Sequence, residues 1–217
     1  PLSKILGEKE FYGLSFRVTE DTLDPRPDTE ILIDKVLERY KGNAPERILD
    51  LGTGTGCLAI TLLTKFSDSI AFAADLSEKA LTIARENAVR HGVSDRLSLI
   101  QSNWFDQIDG TFDCIVANPP YIKRSDIGSL ADEVKNHDTI LALDGGKNGL
   151  QAYQEIFSKL HFYLKEGGRG FFEIGFDQKN DVVRLVESSR VELHDVHLDY
   201  RSFPRVVEIY RGDNMIF

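Results

Sequence analysis

Ile48-Leu49-Asp50-Leu51-Gly52-Thr53-Gly54-Thr55-Gly56-Cys57 decides the fold. Ile48 to Leu51 reads as a strand. Three glycines at alternate positions then turn the chain into a helix from Cys57 to Lys65. Glycine lets a backbone bend sharply and lets a ligand approach without meeting a Cβ. The spacing is G-x-G-x-G, not the G-x-G-x-x-G of nicotinamide enzymes, and it lacks the Lys-Ser/Thr of a P-loop. A turn without a phosphate cradle suits a nucleoside that carries an amino acid.

Working outward, strands and helices alternate. A strand spans Ile70 to Ala74, and Ser77 caps a helix that carries Ala80, Leu81, Ala84 and Ala88 and stops at Gly92. Further strands are Leu97 to Gln101 and Phe112 to Ala117. A helix from Leu150 to Leu164 ends before Gly167-Gly168, a strand covers Gly170 to Ile174, and a helix covers Gln178 to Ser188. Val191 to Leu198 and Val206 to Tyr210 close the chain as consecutive strands. The pattern predicts an α/β, doubly wound, Rossmann-like parallel sheet with an antiparallel hairpin at one edge. Upstream, Lys9 to Val18 reads as a small β-hairpin, and Leu23 to Asp28 as a loop stiffened by Pro25 and Pro27. Asp28 is placed to cap a helix bearing Leu32, Val36 and Tyr40, with Gly42 past its end. Two segments result: residues 1–27, hairpin and proline loop, and residues 28–217, the main domain.

Composition narrows the function classes. The 217 residues are 41% hydrophobic, and no apolar run approaches a membrane span. Lys+Arg 26 against Asp+Glu 35 gives a net charge of −9, which argues against nonspecific binding to nucleic acid. Cys57 and Cys114 make neither a disulfide framework nor a zinc site by spacing, as expected of a cytoplasmic protein. No His, Cys or carboxylate spacing indicates a metal.

Two strand ends extend the glycine turn into a nucleoside site. Asp75 can accept hydrogen bonds from both ribose hydroxyls. Ser102-Asn103-Trp104-Phe105 follows the third strand of the alternating region, and Trp104, the one tryptophan, serves either an adenine ring or the core.

The fourth strand ends in Asn118-Pro119-Pro120-Tyr121. Two consecutive prolines make a rigid backbone without N–H donors, so the carbonyls face outward. The Asn118 side-chain oxygen and the Pro119 carbonyl can accept both protons of a planar NH2 group, and Tyr121 offers a flat wall for stacking. An amide nitrogen is a poor nucleophile, so orienting it beside an electrophilic carbon is the main service such a tip can perform.

With these motifs the chain resembles the HemK/PrmC family of release-factor glutamine methyltransferases over nearly its whole length. Pro1 to Gly7 and Glu10-Phe11-Tyr12-Gly13 match the family's entry hairpin. Pro25-Arg26-Pro27-Asp28-Thr29-Glu30 matches its proline-arginine-proline loop, and Ile48 to Gly56 and Asn118 to Tyr121 its two motifs. Glu173-Ile174-Gly175, Asp199-Tyr200 and Arg205-Val206-Val207 match its last strands. The resemblance implies the S-adenosylmethionine-dependent methyltransferase sheet, with S-adenosyl-L-methionine held by Gly52, Thr53, Gly54, Thr55, Gly56, Asp75, Trp104 and Asn118. It implies a glutamine clamp of Asn118, Pro119, Pro120 and Tyr121, and N5 methylation of the Gly-Gly-Gln glutamine of a peptide-chain release factor. A cytoplasmic monomer without a nucleic-acid partner is expected, and the family's usual N-terminal helical domain is absent from this sequence, which begins after it. Two positions depart from the pattern: Asn103 stands where aspartate is common, and Asp24 where an aliphatic residue is usual.

Two other functions fit the same motifs. An adenine-N6 or guanine-N2 nucleic-acid methyltransferase would use the same clamp on a flipped base. A scaffold could bind the cofactor without catalysis. Among lesser features, Arg26 reads as an orienting residue or half of a surface ion pair. His194 and His197 are expected on opposite faces of a strand. Cys57 is expected to be a small core residue, and Lys123-Arg124 and the acidic run Leu130 to Glu133 to be solvated loop.

Overall fold

The computed structural model describes residues 6–129 and 140–212. It opens with an antiparallel hairpin, β1 (Glu8–Phe11) and β2 (Leu14–Arg17). A 3-10 turn, Pro27–Thr29, leads into α1 (Glu30–Arg39). Then follow β3 (Arg47–Leu51), α2 (Cys57–Lys65), β4 (Ile70–Asp75), α3 (Glu78–Arg90), β5 (Leu97–Gln101) and β6 (Phe112–Ala117). Two one-turn helices, α4 (Arg124–Ile127) and α5 (Ile140–Leu143), precede α6 (Gln151–Tyr163). The chain continues as β7 (Leu164–Glu173), α7 (Lys179–Glu187), β8 (Glu192–Leu198) and β9 (Pro204–Tyr210).

Seven strands form one sheet in the order β5-β4-β3-β6-β7-β9-β8. The first five in that order run parallel, and β9 pairs antiparallel with both β7 and β8. This is the doubly wound sheet with an antiparallel edge hairpin that the sequence predicts. Successive strand residues feed opposite layers, as a sheet covered on both faces requires. Ile48, Cys114, Val116 and Phe171 pack with α1, α2 and the hairpin residues Phe11 and Phe16. Leu49, Ile115, Ala117 and Phe172 pack with Tyr153, Ile156 and Phe157 of α6 and with Val182 and Val186 of α7. The Ser77 hydroxyl accepts from Ala80 N at 3.2 Å, as a helix cap should.

Three local expectations are corrected. Asp28 does not cap α1. It sits inside the 3-10 turn, and its carboxylate pairs with Arg201 at 2.9 Å and Arg205 at 3.4 Å. His194 and His197 do not face apart. A register shift between Leu193 and Asp195 inserts one residue into β8, and such a bulge resets the strand's alternation. Both rings therefore reach one ion pair: His197 Nε2 lies 2.8 Å from Glu208 Oε2, and His194 Nε2 lies 2.5 Å from Arg39 Nη2. Lys123 is exposed loop as expected, whereas Arg124, also exposed, is the first residue of a helical turn, and its Nε donates to Asp144 at 2.8 Å. The acidic run Leu130 to Glu133 lies outside the described residues.

Glu208 is buried on β9, where Arg39 Nε donates to it at 2.6 Å and Arg169 Nη1 at 3.3 Å. Burial alone would raise its carboxyl, but the His197 and Arg39 hydrogen bonds overcome this and hold it down at about 2. A carboxyl depressed on folding adds stability above its unfolded value, near 4.5, and that stability is lost as the pH falls toward 2. Urea melts between pH 5 and pH 2.5 should therefore show a steep loss in the wild type. The loss should be shallower in Glu208→Gln, which has no charge to titrate; parallel losses would remove Glu208 from the acid response.

Candidate active site

The site is built where the sheet changes winding direction, between β3 and β6. Leu51 is in register with Ala74 of β4 on one side and Ala117 of β6 on the other. Gly52, Asp75 and Asn118 therefore emerge together at the carboxyl ends of neighbouring strands, where ligands of such sheets bind.

All three glycines of the turn have positive φ: 71° at Gly52, 55° at Gly54 and 81° at Gly56. L side chains resist that geometry, which explains the alternate spacing. Gly52 N and Thr53 N both donate to Ala74 O, at 2.8 and 3.0 Å, which fastens the turn to β4. Beneath it, buried Asp50 accepts from Thr53 Oγ1 at 2.6 Å and from Ala59 N at 3.3 Å, and burial pushes its carboxyl up to about 7. A Cβ on Gly54 would meet nothing within 4 Å, whereas one on Gly56 would come within 2.8 Å of Ile60 Cδ1.

A cavity of about 460 Å³ opens over these strand ends, within the roughly 300–1,000 Å³ usual for small-molecule sites. Gly52, Gly54, Asp75, Asn103, Trp104, Asn118 and Pro120 line it. Thr53, Thr55 and Gly56 do not; they are buried behind the turn and shape it. Asp75 Oδ2 accepts from Gly54 N at 2.8 Å and Oδ1 from Ser77 N at 2.9 Å, while burial raises its carboxyl. Trp104, at φ 48°, sets its ring against Gly52. Among the described residues, Asp21, Asp75, Asp144 and Glu155 line the cavity against Arg124, which pairs with Asp144 at 2.8 Å, and this excess of acid favours a cation.

The reaction tip is split between two environments. Asn118 faces the cavity, and its Nδ2 donates to the Thr29 hydroxyl at 3.2 Å. Pro119 is buried off the cavity wall. Tyr121 does not reach the cavity either. Its hydroxyl donates to Glu173 Oε1 at 3.4 Å, and burial raises its phenol well above the ordinary value. Nor is the turn free-standing. Gln178 Nε2 donates to Tyr121 O and Gly149 O, each at 3.0 Å, and Gly145 N donates to Ile122 O at 2.8 Å. Cys57 is partly buried and packs against the core rather than lying within it, and burial pushes its thiol up to about 12.

A family model described as the methyltransferase small domain matches residues 19–146. Over 215 residues, 97% of this chain, the sequence is 43% identical to the release factor glutamine methyltransferase of Agrobacterium fabrum, of which the match spans 74%. It is 45% identical over 189 residues to the protein of the same name from Cereibacter sphaeroides, covering 87% of this chain and 66% of that one. The chain belongs to the release factor glutamine methyltransferase family. The fold is also that of a solved ribosomal protein L11 methylase from Lactobacillus delbrueckii subsp. bulgaricus, with TM-score 0.66 and 23% identity over 88% of this chain and 83% of that one.

In this family member the sequence reading missed Thr29, Glu173, Gln178 and the Gly145–Gly149 loop, all of which hold the tip, and Asp21, Thr22 and Leu23, which wall the cavity. The loop carried a signal in its spacing, Gly145-Gly146-x-x-Gly149, while Thr29 and Glu173 stood within family-matching stretches without a role of their own. The glycine turn yields its own test. Gly56→Ala is expected to cost about 2 kcal/mol or more, from left-handed backbone strain plus the clash with Ile60. Equilibrium urea denaturation measures this, and wild-type stability would contradict the packing described.

Proposed function

We propose that this chain transfers a methyl group from S-adenosylmethionine to the side-chain amide nitrogen, N5, of the glutamine in the Gly-Gly-Gln motif of a bacterial peptide-chain release factor. The names of its relatives support the substrate. The observation that carries the chemistry is that Asn118 shares one cavity with Gly52, Gly54, Asp75 and Trp104, with its amide nitrogen turned away toward Thr29.

The residues present fit the cofactor. The acid-lined cavity suits a sulfonium, and the bare face of Gly54 leaves room for a close approach. Asp75 would take the ribose hydroxyls, Trp104 the edge of the adenine, and Gly52 and Gly54 the backbone contacts. Asn103, on the cavity wall, would offer an amide oxygen to the adenine amino group. S-adenosylmethionine supplies an electrophilic methyl carbon on a positively charged sulfur. Asn118 Oδ1, facing the cavity, accepts one N–H bond of the glutamine amide and aims its nitrogen at that carbon. The Pro119 carbonyl, set back from the cavity wall, is the acceptor for the second N–H once the amide seats against the tip. The same two acceptors stabilise the positive charge that grows on nitrogen as the N–C bond forms and the S–C bond breaks, leaving a neutral thioether. The surplus proton leaves to solvent, so the chain needs no strong base. Pro120 keeps the tip rigid, and Tyr121 flanks it from the Glu173 side.

This reading carries with it a cytoplasmic, monomeric enzyme whose macromolecular partner is a protein. The net charge of −9 favours a protein partner over a nucleic acid, and among the described residues no helix is long and apolar enough to cross a membrane.

The direct test is mass spectrometry of a release factor incubated with this protein and S-adenosylmethionine, with RNA and DNA in a parallel arm. One methyl on one glutamine is expected; label entering only nucleic acid would overturn the reading. Asn118→Ala should lower turnover by about 10²-fold, as losing one charge-stabilising partner does elsewhere, and leave cofactor affinity within a few-fold. Unchanged turnover would contradict the assigned role. Asp75→Ala should weaken cofactor binding by about 10-fold or more, and calorimetry showing equal affinity would remove the ribose assignment.

A further inference from the structure

Asn118 can serve as an acceptor only in one of two orientations. Its carboxamide oxygen and nitrogen are nearly isosteric, and rotation by half a turn would present an NH2 to the substrate NH2, donor against donor. Something must choose between them. Thr29 Oγ1 accepts from Asn118 Nδ2 at 3.2 Å, yet a hydroxyl alone cannot discriminate, since it donates as readily as it accepts. The choice requires that the Thr29 proton be committed elsewhere.

Glu173 supplies the place. It ends β7, is 1% exposed, and its carboxyl lies beside the Thr29 hydroxyl, which favours its charged form. Glu173 Oε2 is buried without a hydrogen-bond partner, an acceptor that the Thr29 proton is placed to satisfy. We propose that Glu173 and Thr29 are positioning residues that fix the polarity of Asn118. The carboxylate draws the Thr29 proton, Thr29 is left an acceptor, Asn118 must turn its nitrogen inward, and its oxygen is presented to the incoming amide. This inference rests on the amide-methylating reading given above and deepens it.

The surroundings make the polarity reversible by a proton. Desolvation pushes the Glu173 carboxyl up to about 7, opposed by Thr29, Arg205 and Tyr121, while Asp28 adds to the rise. Arg205 cannot neutralise it fully, because Asp199 and Asp28 claim the same guanidinium at 3.1 and 3.4 Å. From the other packed elements, Tyr153 of α6 donates to the Glu173 main-chain carbonyl at 2.7 Å, and Cys57 of α2 faces it as a neutral thiol. A protonated Glu173 can donate to Thr29, which frees the Thr29 proton for Asn118 Oδ1 and turns the amide the wrong way. Turnover should therefore rise with pH as Glu173 ionises near 7.

The test is steady-state methylation of a release factor from pH 5.5 to 9 by the wild type, Thr29→Val, Thr29→Ser and Glu173→Gln, with calorimetric cofactor affinity and melting temperature for each. Thr29→Val should lose about 10-fold or more in kcat, as misorientation of a reacting group does, with cofactor Kd unchanged, and Thr29→Ser should restore it. Glu173→Gln should lose several-fold in kcat at pH 8 and lose the acid limb, without melting below the wild type there. Thr29→Ser as slow as Thr29→Val, a wild-type pH profile in Glu173→Gln, or full turnover in Thr29→Val would each overturn the proposal. A wild type that methylates no release factor would instead remove the reading beneath it, and calorimetry still reports whether the cofactor site stands.

Discussion

The structure depends on the in-register ending of three parallel strands. Leu51 pairs with Ala74 on one side and Ala117 on the other, and adjacent strands lie about 4.8 Å apart. Backbone pairing alone thus assembles a glycine turn, a carboxylate and a carboxamide within one ligand's length, although the sequence separates them by dozens of residues. The winding of the sheet reverses between β3 and β6, so no crossover helix covers the gap. Everything else in the site adjusts what this register delivers.

Those adjustments are polar and buried. Asp50 braces the glycine turn from below, Gln178 ties Tyr121 to the Gly149 loop, and Thr29 joins the start of α1 to the tip of β6. Asp50 and Glu173 are both pushed up to about 7 by burial, which shows that the fold holds carboxyls where their charge is poorly solvated. Such groups seldom add stability; they are kept where orientation matters more. Glu208 shows the contrast. Ringed by Arg39, Arg169 and His197, it joins α1 to the antiparallel edge of the sheet, and those partners hold its carboxyl down at about 2.

Much of this was legible because it is local. The glycine spacing, the Ser77 cap and the alternation of strands and helices are written within short windows, and β5, β6 and α2 fall where the pattern puts them. The illegible part consists of contacts between distant residues or resets of phase. Thr29 and Asn118 are 89 positions apart, and nothing local pairs them. Asp28 looks like a helix cap until Arg201 and Arg205, brought round by β9 and its loop, claim it. The tip reads as four residues aimed one way, whereas Tyr121 turns from the cavity toward Glu173, a partner from β7. The histidine pair was misread because a strand's alternation holds only until a bulge interrupts it.

That bulge bears on how the chain behaves among its copies. β8 is the outermost strand, and Glu192, His194 and Asp195 are exposed along it. A kinked rim studded with ionisable groups is a poor template for another strand. Among the described residues the sheet stops at β8, and newly made chains crowded together have one less seam along which to stick.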